Sequence, residues 1–289
     1  MSFNVRVAVK FLIKLVGGTL WLPVALVRGG AGVRILCYHK VNDTRGNKLS
    51  VTTPAFRRQL AYLARHHRVI PLATLVERLR TGGALPDRAV VITFDDGYRD
   101  AFVNALPALR EHGVPATFFV TTSLVATRHP FAHDSGFERF ENRTMSWDEV
   151  RELARAGMEV GSHGLTHRLL AGLRPDEQAK EITESRAVLE AQLGGRVDAF
   201  SYPSGGGADF DGVSASLVER AGYACACTTI DGLNGPDANR FRLRRSNVLN
   251  EDTMLLFRYT MVGALDWMSL KDSLVGRTCQ RWFRRVFGY

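Results

Sequence analysis

The run Val90-Val91-Ile92-Thr93-Phe94 ends on two adjacent carboxylates, Asp95 and Asp96, followed by Gly97 and Tyr98. A short, continuous apolar segment of this kind is a strand buried on both faces, so the acids stand where it leaves the core and the backbone turns. Comparable runs occur at 33–38, 115–120, 158–163, 197–202, 223–228 and 243–248, with the first described run spanning 89–94. Helical patterns fall between them, most clearly at 54–66, 99–112, 147–156, 175–193 and 211–221. This alternation predicts an α/β protein built on a parallel sheet, either a barrel or an open doubly wound sheet.

Local signals fix the direction of that sheet. Ser146 and Glu149 have capping-box spacing at a helix start, and Gly113, Gly157 and Gly222 each end a helix just before a strand. The acid pair therefore lies at the opposite, carboxyl end of the strands, where α/β proteins place their chemistry. On that same face fall Ser162-His163-Gly164-Leu165-Thr166-His167 and Ser201-Tyr202-Pro203.

Two neighbouring carboxylates repel unless a positive charge sits beside them. A divalent cation resolves the conflict, and His163 and His167 supply imidazoles at four-residue spacing. One carboxylate with two imidazoles makes an open three-ligand site of the catalytic type. A His-x-x-x-His pair by itself is more often a pair of surface or capping residues, and the acid pair at another strand end is what raises the metal reading. His129 and His133 share the spacing, but Pro130 lies between them and no strand precedes them, so they read as loop residues.

Thr93-Phe94-Asp95-Asp96-Gly97, the Ser162–His167 motif and Phe200-Ser201-Tyr202-Pro203-Ser204-Gly205-Gly206 together resemble the polysaccharide deacetylases, the NodB-like carbohydrate esterases. The resemblance spans roughly 35–248. Ile35-Leu36-Cys37-Tyr38-His39-Lys40-Val41 is similar to the Tyr-His-x-Val opening of the exopolysaccharide N-deacetylase branch. The resemblance implies a deformed, incomplete (β/α) barrel of about seven parallel strands in a single domain. It implies that Asp96, His163 and His167 hold a divalent metal, zinc foremost, with cobalt, nickel or iron also suited to such ligands. Asp95 becomes the general base that takes the proton of the attacking water, and the backbone N–H of Tyr202 the oxyanion donor. Substrate contacts are expected from Tyr38, Tyr98, Pro203 and Gly205.

The chain departs from the family pattern in two places. The late histidine that serves as general acid in most of the family is missing from Leu243-Arg244-Arg245-Ser246-Asn247, and the resemblance to the branch with the Tyr-His opening, which implies that this function sits at the start of the domain, makes His39 the candidate acid. Ser201 stands where an arginine normally orients the catalytic aspartate, and Arg245 is the candidate to supply that charge from another strand.

The predicted function is a metal-dependent hydrolase that removes the N-acetyl group from an amino sugar in a polysaccharide, oligosaccharide or lipid-linked glycan. The alternatives are a deacylase of another acylated substrate and a catalytically degenerate glycan-binding protein. With 289 residues, 45% of them hydrophobic, the chain suits one barrel domain at 33–250. Segment 1–32 is an apolar N-terminal extension and 251–289 a basic amphipathic one. Lys14, Gly17, Gly18 and Pro23 interrupt the apolar stretch 11–27, which favours re-entrant or interfacial insertion, or packing of a helix on the barrel, over a span of about twenty residues, so a membrane-associated protein, peripheral or N-terminally anchored, is expected. Aromatic and basic residues interleave in 268–289, and the net charge is +9, as suits an anionic membrane surface of the bacterial envelope. No nucleic-acid module accompanies the charge, so no nucleic-acid partner is expected. The side of the membrane and the oligomeric state stay open. Four cysteines in a chain this long make no disulfide framework.

Overall fold

The computed structural model describes residues 3–28, 32–44, 47–127, 131, 134, 143–273 and 276. Its strands are β1 (Arg34–Tyr38), β2 (Lys40–Val41), β3 (Ser50–Val51), β4 (Arg68–Val69), β5 (Ala89–Phe94), β6 (Thr117–Val120), β7 (Glu159–Ser162), β8 (Ala199–Ser201), β9 (Cys225–Cys227) and β10 (Ser246–Asn247). All seven predicted runs are among them. They pair in parallel in the order β10-β1-β5-β6-β7-β8-β9, with β4 beside the start of β5. The short pair β2 and β3 stands apart from this sheet.

The sheet curls into a barrel that its last segment only partly closes. Leu243 bridges Cys227 on one side of the seam, while Ser246 and Asn247 pair with Leu36 and Cys37 on the other. The strand expected at 243–248 is thereby split between two partners, and its ladder shrinks to two residues.

The helices are α1 (Phe3–Arg28), α2 (Thr53–His66), α3 (Leu72–Thr81), α4 (Leu106–Glu111), α5 (Thr122–Thr127), α6 (Trp147–Arg155), α7 (Pro175–Leu193), α8 (Gly212–Arg220) and α9 (Met254–Met261). The capping box forms at α6: Ser146 N–H donates to Glu149 Oε2 (2.9 Å), and Glu149 N–H donates to Ser146 Oγ (3.3 Å). The helix expected at 99–112 begins as a π-turn over Ala101–Ala105 before continuing as α4. Pro107 offers no N–H to the turn before it, and a widened turn is one way the ladder adjusts. Segment 251–289 lies in part outside the described residues. Its described portion forms α9 and a 3-10 turn at Asp266–Asp272, both against α1.

Strand side chains alternate between two cores, as the period of two requires. Leu36, Val90, Ile92, Phe94, Phe118 and Phe200 pack outward beneath the helices. Ile35, Val91, Phe119, Ala199, Cys225 and Cys227 fill the barrel. Gly161 belongs to the inner series, where a Cβ would stand 2.6 Å from the Phe119 ring.

Candidate active site

Continuing the inner series to the carboxyl ends of the strands builds the site. After Ile35 comes Cys37 and then His39; after Val91 come Thr93 and Asp95; after Ala199 comes Ser201; after Gly161 comes His163. Period-two geometry thus turns these side chains toward the same end of the barrel interior, and the contacts below bear this out.

Asp95 and Asp96 part company because the backbone turns between them. Asp96 adopts φ +72° and Gly97 follows at φ +72°. A side chain at 97 would meet Val120 at 2.9 Å, so glycine is required there. Asp96 consequently faces the histidine loop. Its Oδ1 lies 3.4 Å from His163 Nε2 and 3.2 Å from His167 Nε2. His163 Nδ1 lies 2.8 Å from the Ser201 carbonyl, to which it donates, so that Nε2 is the ring atom that faces Asp96. Burial alone would raise the Asp96 carboxyl, but hydrogen bonds from His163 and His167 hold it well below the ordinary range.

This donor set fits a divalent cation. One carboxylate oxygen and two imidazole nitrogens lie within 4.8 Å of one another, and a carbonyl orients the more buried ring. The loop between the ligands is held by a group that sequence reasoning missed. Glu181 of α7, buried, accepts from Leu165 N–H (3.1 Å), Thr166 N–H (2.8 Å) and the Thr166 hydroxyl. An acid buried on the inner stripe of a helix, beside Gln178 and Ile182, was the available signal. Glu181→Ala removes the acceptor of all three bonds, and is expected to weaken Zn²⁺ or Co²⁺ affinity about 10–100-fold, as loss of outer-shell support typically does. Titration against a competing chelator measures it, and unchanged affinity would exclude Glu181 from ligand positioning.

Asp95 meets a different partner. Arg245, fully buried, reaches from the barrel seam and places Nη1 2.7 Å from Asp95 Oδ1 and Nη2 2.6 Å from Oδ2. Its other donors go to Thr93 Oγ1 (3.1 Å), Ser201 Oγ (2.8 Å) and the Thr228 carbonyl (2.7 Å). The planar fork thus makes a paired bond to the carboxylate with no donor wasted. Burial pushes the Asp95 carboxyl up, but Arg245 and then His163 outweigh it and bring it down to about 2. The small Ser201 leaves room for the guanidinium and bonds it.

A cleft of about 360 Å³ opens above these groups, lined by His39, Asp95, Asp96, His163 and His167 among others. His39 is held below its ordinary pKa by burial, against the upward pull of Asp96 and Asp95. Its buried Nδ1 has no hydrogen-bond partner among the described residues. Lys10, Lys48, Leu49, Ser204, Thr229 and Asn247 also border the cleft. Several of these follow strand ends, the one general signal that marked them.

The geometry disfavours five of the expected roles. The Tyr202 N–H is already spent on the Cys227 carbonyl (3.1 Å) in the sheet, so it cannot serve as an oxyanion donor. Tyr38 points outward into the helix layer, fully buried, with its hydroxyl donating to Gln59 Oε1 (3.0 Å). Tyr98 is buried as well, its hydroxyl 2.6 Å from Asp134, and packs on Phe131, whose ring meets His167 edge-on at 5.0 Å. Both tyrosines support the site from behind. Pro203 and Gly205 are buried in the loop beneath the cleft, where Gly205 lies against Thr229 and the Tyr202 carbonyl, and Ser204 between them is what reaches the opening. His129 and His133 lie outside the described residues.

Residues 82–226 match the family described as polysaccharide deacetylase. The poly-beta-1,6-N-acetyl-D-glucosamine N-deacetylase of Staphylococcus epidermidis is 27% identical over 70% of this chain and 69% of its own length. The enzyme of the same name from Escherichia coli is 33% identical over 46% of this chain, a match that covers 20% of that longer protein. The fold is shared with the Streptococcus pyogenes deacetylase PplD, solved in complex with acetate, at a TM-score of 0.69 and 23% identity over 80% of this chain and 98% of that one. A match across half of its 289 residues, on a curled parallel barrel with the acid pair and both histidines at one end, shows that the chain belongs to the polysaccharide deacetylase family.

Proposed function

We propose that the protein is a metal-dependent N-deacetylase of an exopolysaccharide of N-acetylated amino sugars, or of its lipid-linked precursor, working at a membrane surface of the bacterial envelope. The observation that carries this reading is the division of labour between adjacent acids. Asp96 joins two imidazoles, while Asp95, clamped by Arg245, stays outside that set on the same cleft floor.

Asp96, His163 and His167 would hold the cation, with zinc the best fit and cobalt, nickel or iron also compatible with the ligands. When bound, such a cation supplies Lewis acidity toward water and the amide carbonyl. Asp95, ionised at physiological pH, accepts the proton of the attacking water. Arg245 is a positioning residue that fixes the direction of both Asp95 oxygens. His39, which lines the same cleft, delivers a proton to the leaving amine. Pro203 has no N–H, so the Ser204 N–H is the next backbone donor on that loop to stabilise the oxyanion. Asn247 Oδ1, buried at the cleft without a partner among the described residues, suits a sugar hydroxyl or the acetamide N–H.

The test is acetate release from oligomers of β-1,6-linked N-acetylglucosamine, alongside other N-acetylated glycans and O-acetylated sugars. Release from the N-acetylated set is expected to vanish with chelator and return with Zn²⁺ or Co²⁺. His39→Gln is expected to keep its metal and lose about 100-fold or more in turnover, the usual scale for a lost acid–base group. Release confined to O-acetylated sugars would establish the other deacylase reading, and full metal occupancy without any release would favour a glycan-binding protein.

A further inference from the structure

Helix α1 is amphipathic in the reverse of the usual sense. A helix packed on a soluble protein turns its apolar stripe inward. In α1 the inward face carries Lys14, Gly17, Gly18 and Trp21, whereas Leu12, Ile13, Val16, Leu20, Val24 and Val27 face outward. Leu20 is 75% and Val27 88% exposed. An apolar strip this long is unusual on a surface that meets only water.

The inward face is made for protein contact. Lys14 is buried, with its Nζ 2.7 Å from Asp252 and 3.2 Å from Glu251. A side chain at Gly17 would collide with the Trp267 ring, and one at Gly18 with Tyr259. Exposed Leu255 and Val262, seven residues apart at α9, add apolar surface beside α1, which α9 contacts. Helix α1 also brings Lys10 to the active-site cleft, which Lys48 lines as well. Neither lysine has an ion-pair partner among the described residues.

We propose that α1 lies along a lipid bilayer rather than across it. Its outward face, with Leu255 and Val262, sinks into the lipid while its inward face stays latched to the catalytic domain. The stretch Val7–Val27 is long and apolar enough to span a membrane. In that orientation Lys14 would sit about 10 Å along the helix from Val7, inside the hydrocarbon. It would have to abandon Glu251 and Asp252 or draw them in with it, and either course leaves charge without solvent. Lying flat keeps that cluster intact and sets Lys10 and Lys48 among lipid phosphates, with the cleft open at headgroup level to a membrane-tethered glycan. The choice of glycan rests on the proposed deacetylase activity; the docking of α1 does not.

The experiment is co-flotation of the full chain with vesicles of phosphatidylcholine and phosphatidylglycerol at 3:1. The wild type and Val213→Glu, an exposed valine on α8, are expected to float. The double variant Leu12→Glu, Val16→Glu is expected to partition at least tenfold less, with an unchanged Tm in solution. Lys14→Met is expected to lower the Tm of the vesicle-bound protein, because it strips Glu251 and Asp252 of their partner. Wild type that fails to float overturns the proposal, as does a double variant that floats normally or melts early. A wild-type dimer that the double variant dissociates would give the face to a second copy instead. An unchanged Tm for vesicle-bound Lys14→Met would mean that the helix spans. Flotation is read without any turnover, so these outcomes stand apart from the fate of the deacetylase reading.

Discussion

Asp95→Asn is expected to cut acetate release by about three orders of magnitude while leaving metal stoichiometry at wild-type level. The substitution preserves shape and removes the basic oxygen, and lost general-base catalysis is worth about 10²–10⁴ in rate. Metal should survive because Asp95 lies outside the Asp96, His163 and His167 group, converging instead with Cys37 and His39, and its Oδ2 stands 4.0 Å from His163 Nε2. The amide still accepts one bond from Arg245 but turns an NH₂ toward the other guanidinium nitrogen. Some stability is therefore lost, up to the roughly 3–5 kcal/mol typical of breaking a buried ion pair. Steady-state kinetics with metal analysis on the same sample decide the matter. Wild-type turnover would remove Asp95 from the mechanism, and loss of metal would make it a ligand.

The second large effect is expected at Arg245. Arg245→Met removes the charge that does most to hold Asp95 low and leaves a buried carboxylate without its ion-pair partner, which should cost about 3–5 kcal/mol. The sign of the pH dependence follows from the Asp95 carboxyl, brought to about 2 in the folded protein from an unfolded value of about 3.9. A depressed carboxyl contributes stability that is complete above the unfolded value and is lost as pH falls toward about 2. Without Arg245, burial acts with less opposition, the carboxyl rises, and the acidic limb of the rate profile moves to higher pH. Arg245→Lys should restore part of the stability and part of the limb, since one ammonium cannot reproduce the paired bond. A pH profile identical to wild type in Arg245→Met, in a variant that still folds, would reduce Arg245 to a structural role.

The sequence was legible where one rule governed each residue. Apolar runs marked the seven strands of the barrel, and strand ends marked Asp95, Asp96, His163 and His167. Arg245 was legible as a compensation, because a charge missing at Ser201 had to come from elsewhere. The strand Arg68–Val69 escaped notice because two residues make no apolar run, and it exists by pairing with Ala89 and Val90. Tyr38 and Tyr98 were misjudged for a related reason. Tyr38 sits next to His39 in sequence, but adjacent strand positions face opposite sides of the sheet, so Tyr38 turns outward as its neighbours Cys37 and His39 turn in, while Tyr98 lies past the turn at Gly97 and is tied to Asp134. Backbone hydrogen bonding was illegible altogether, as the engagement of the Tyr202 N–H with Cys227 illustrates.

Three residues other than glycine at the site, Asp96, His167 and Ser204, hold left-handed backbone at φ +72°, +65° and +59°. Asparagine and aspartate tolerate that region better than most residues. Alanine at 96 or 167 would therefore alter two things together, the donor atom and the turn that carries it. Asp96→Asn keeps the turn and isolates the ligand, and His167→Asn does so more nearly than His167→Ala. Variants should be chosen by dihedral angle as well as by chemistry, or a collapsed loop will be mistaken for a missing metal.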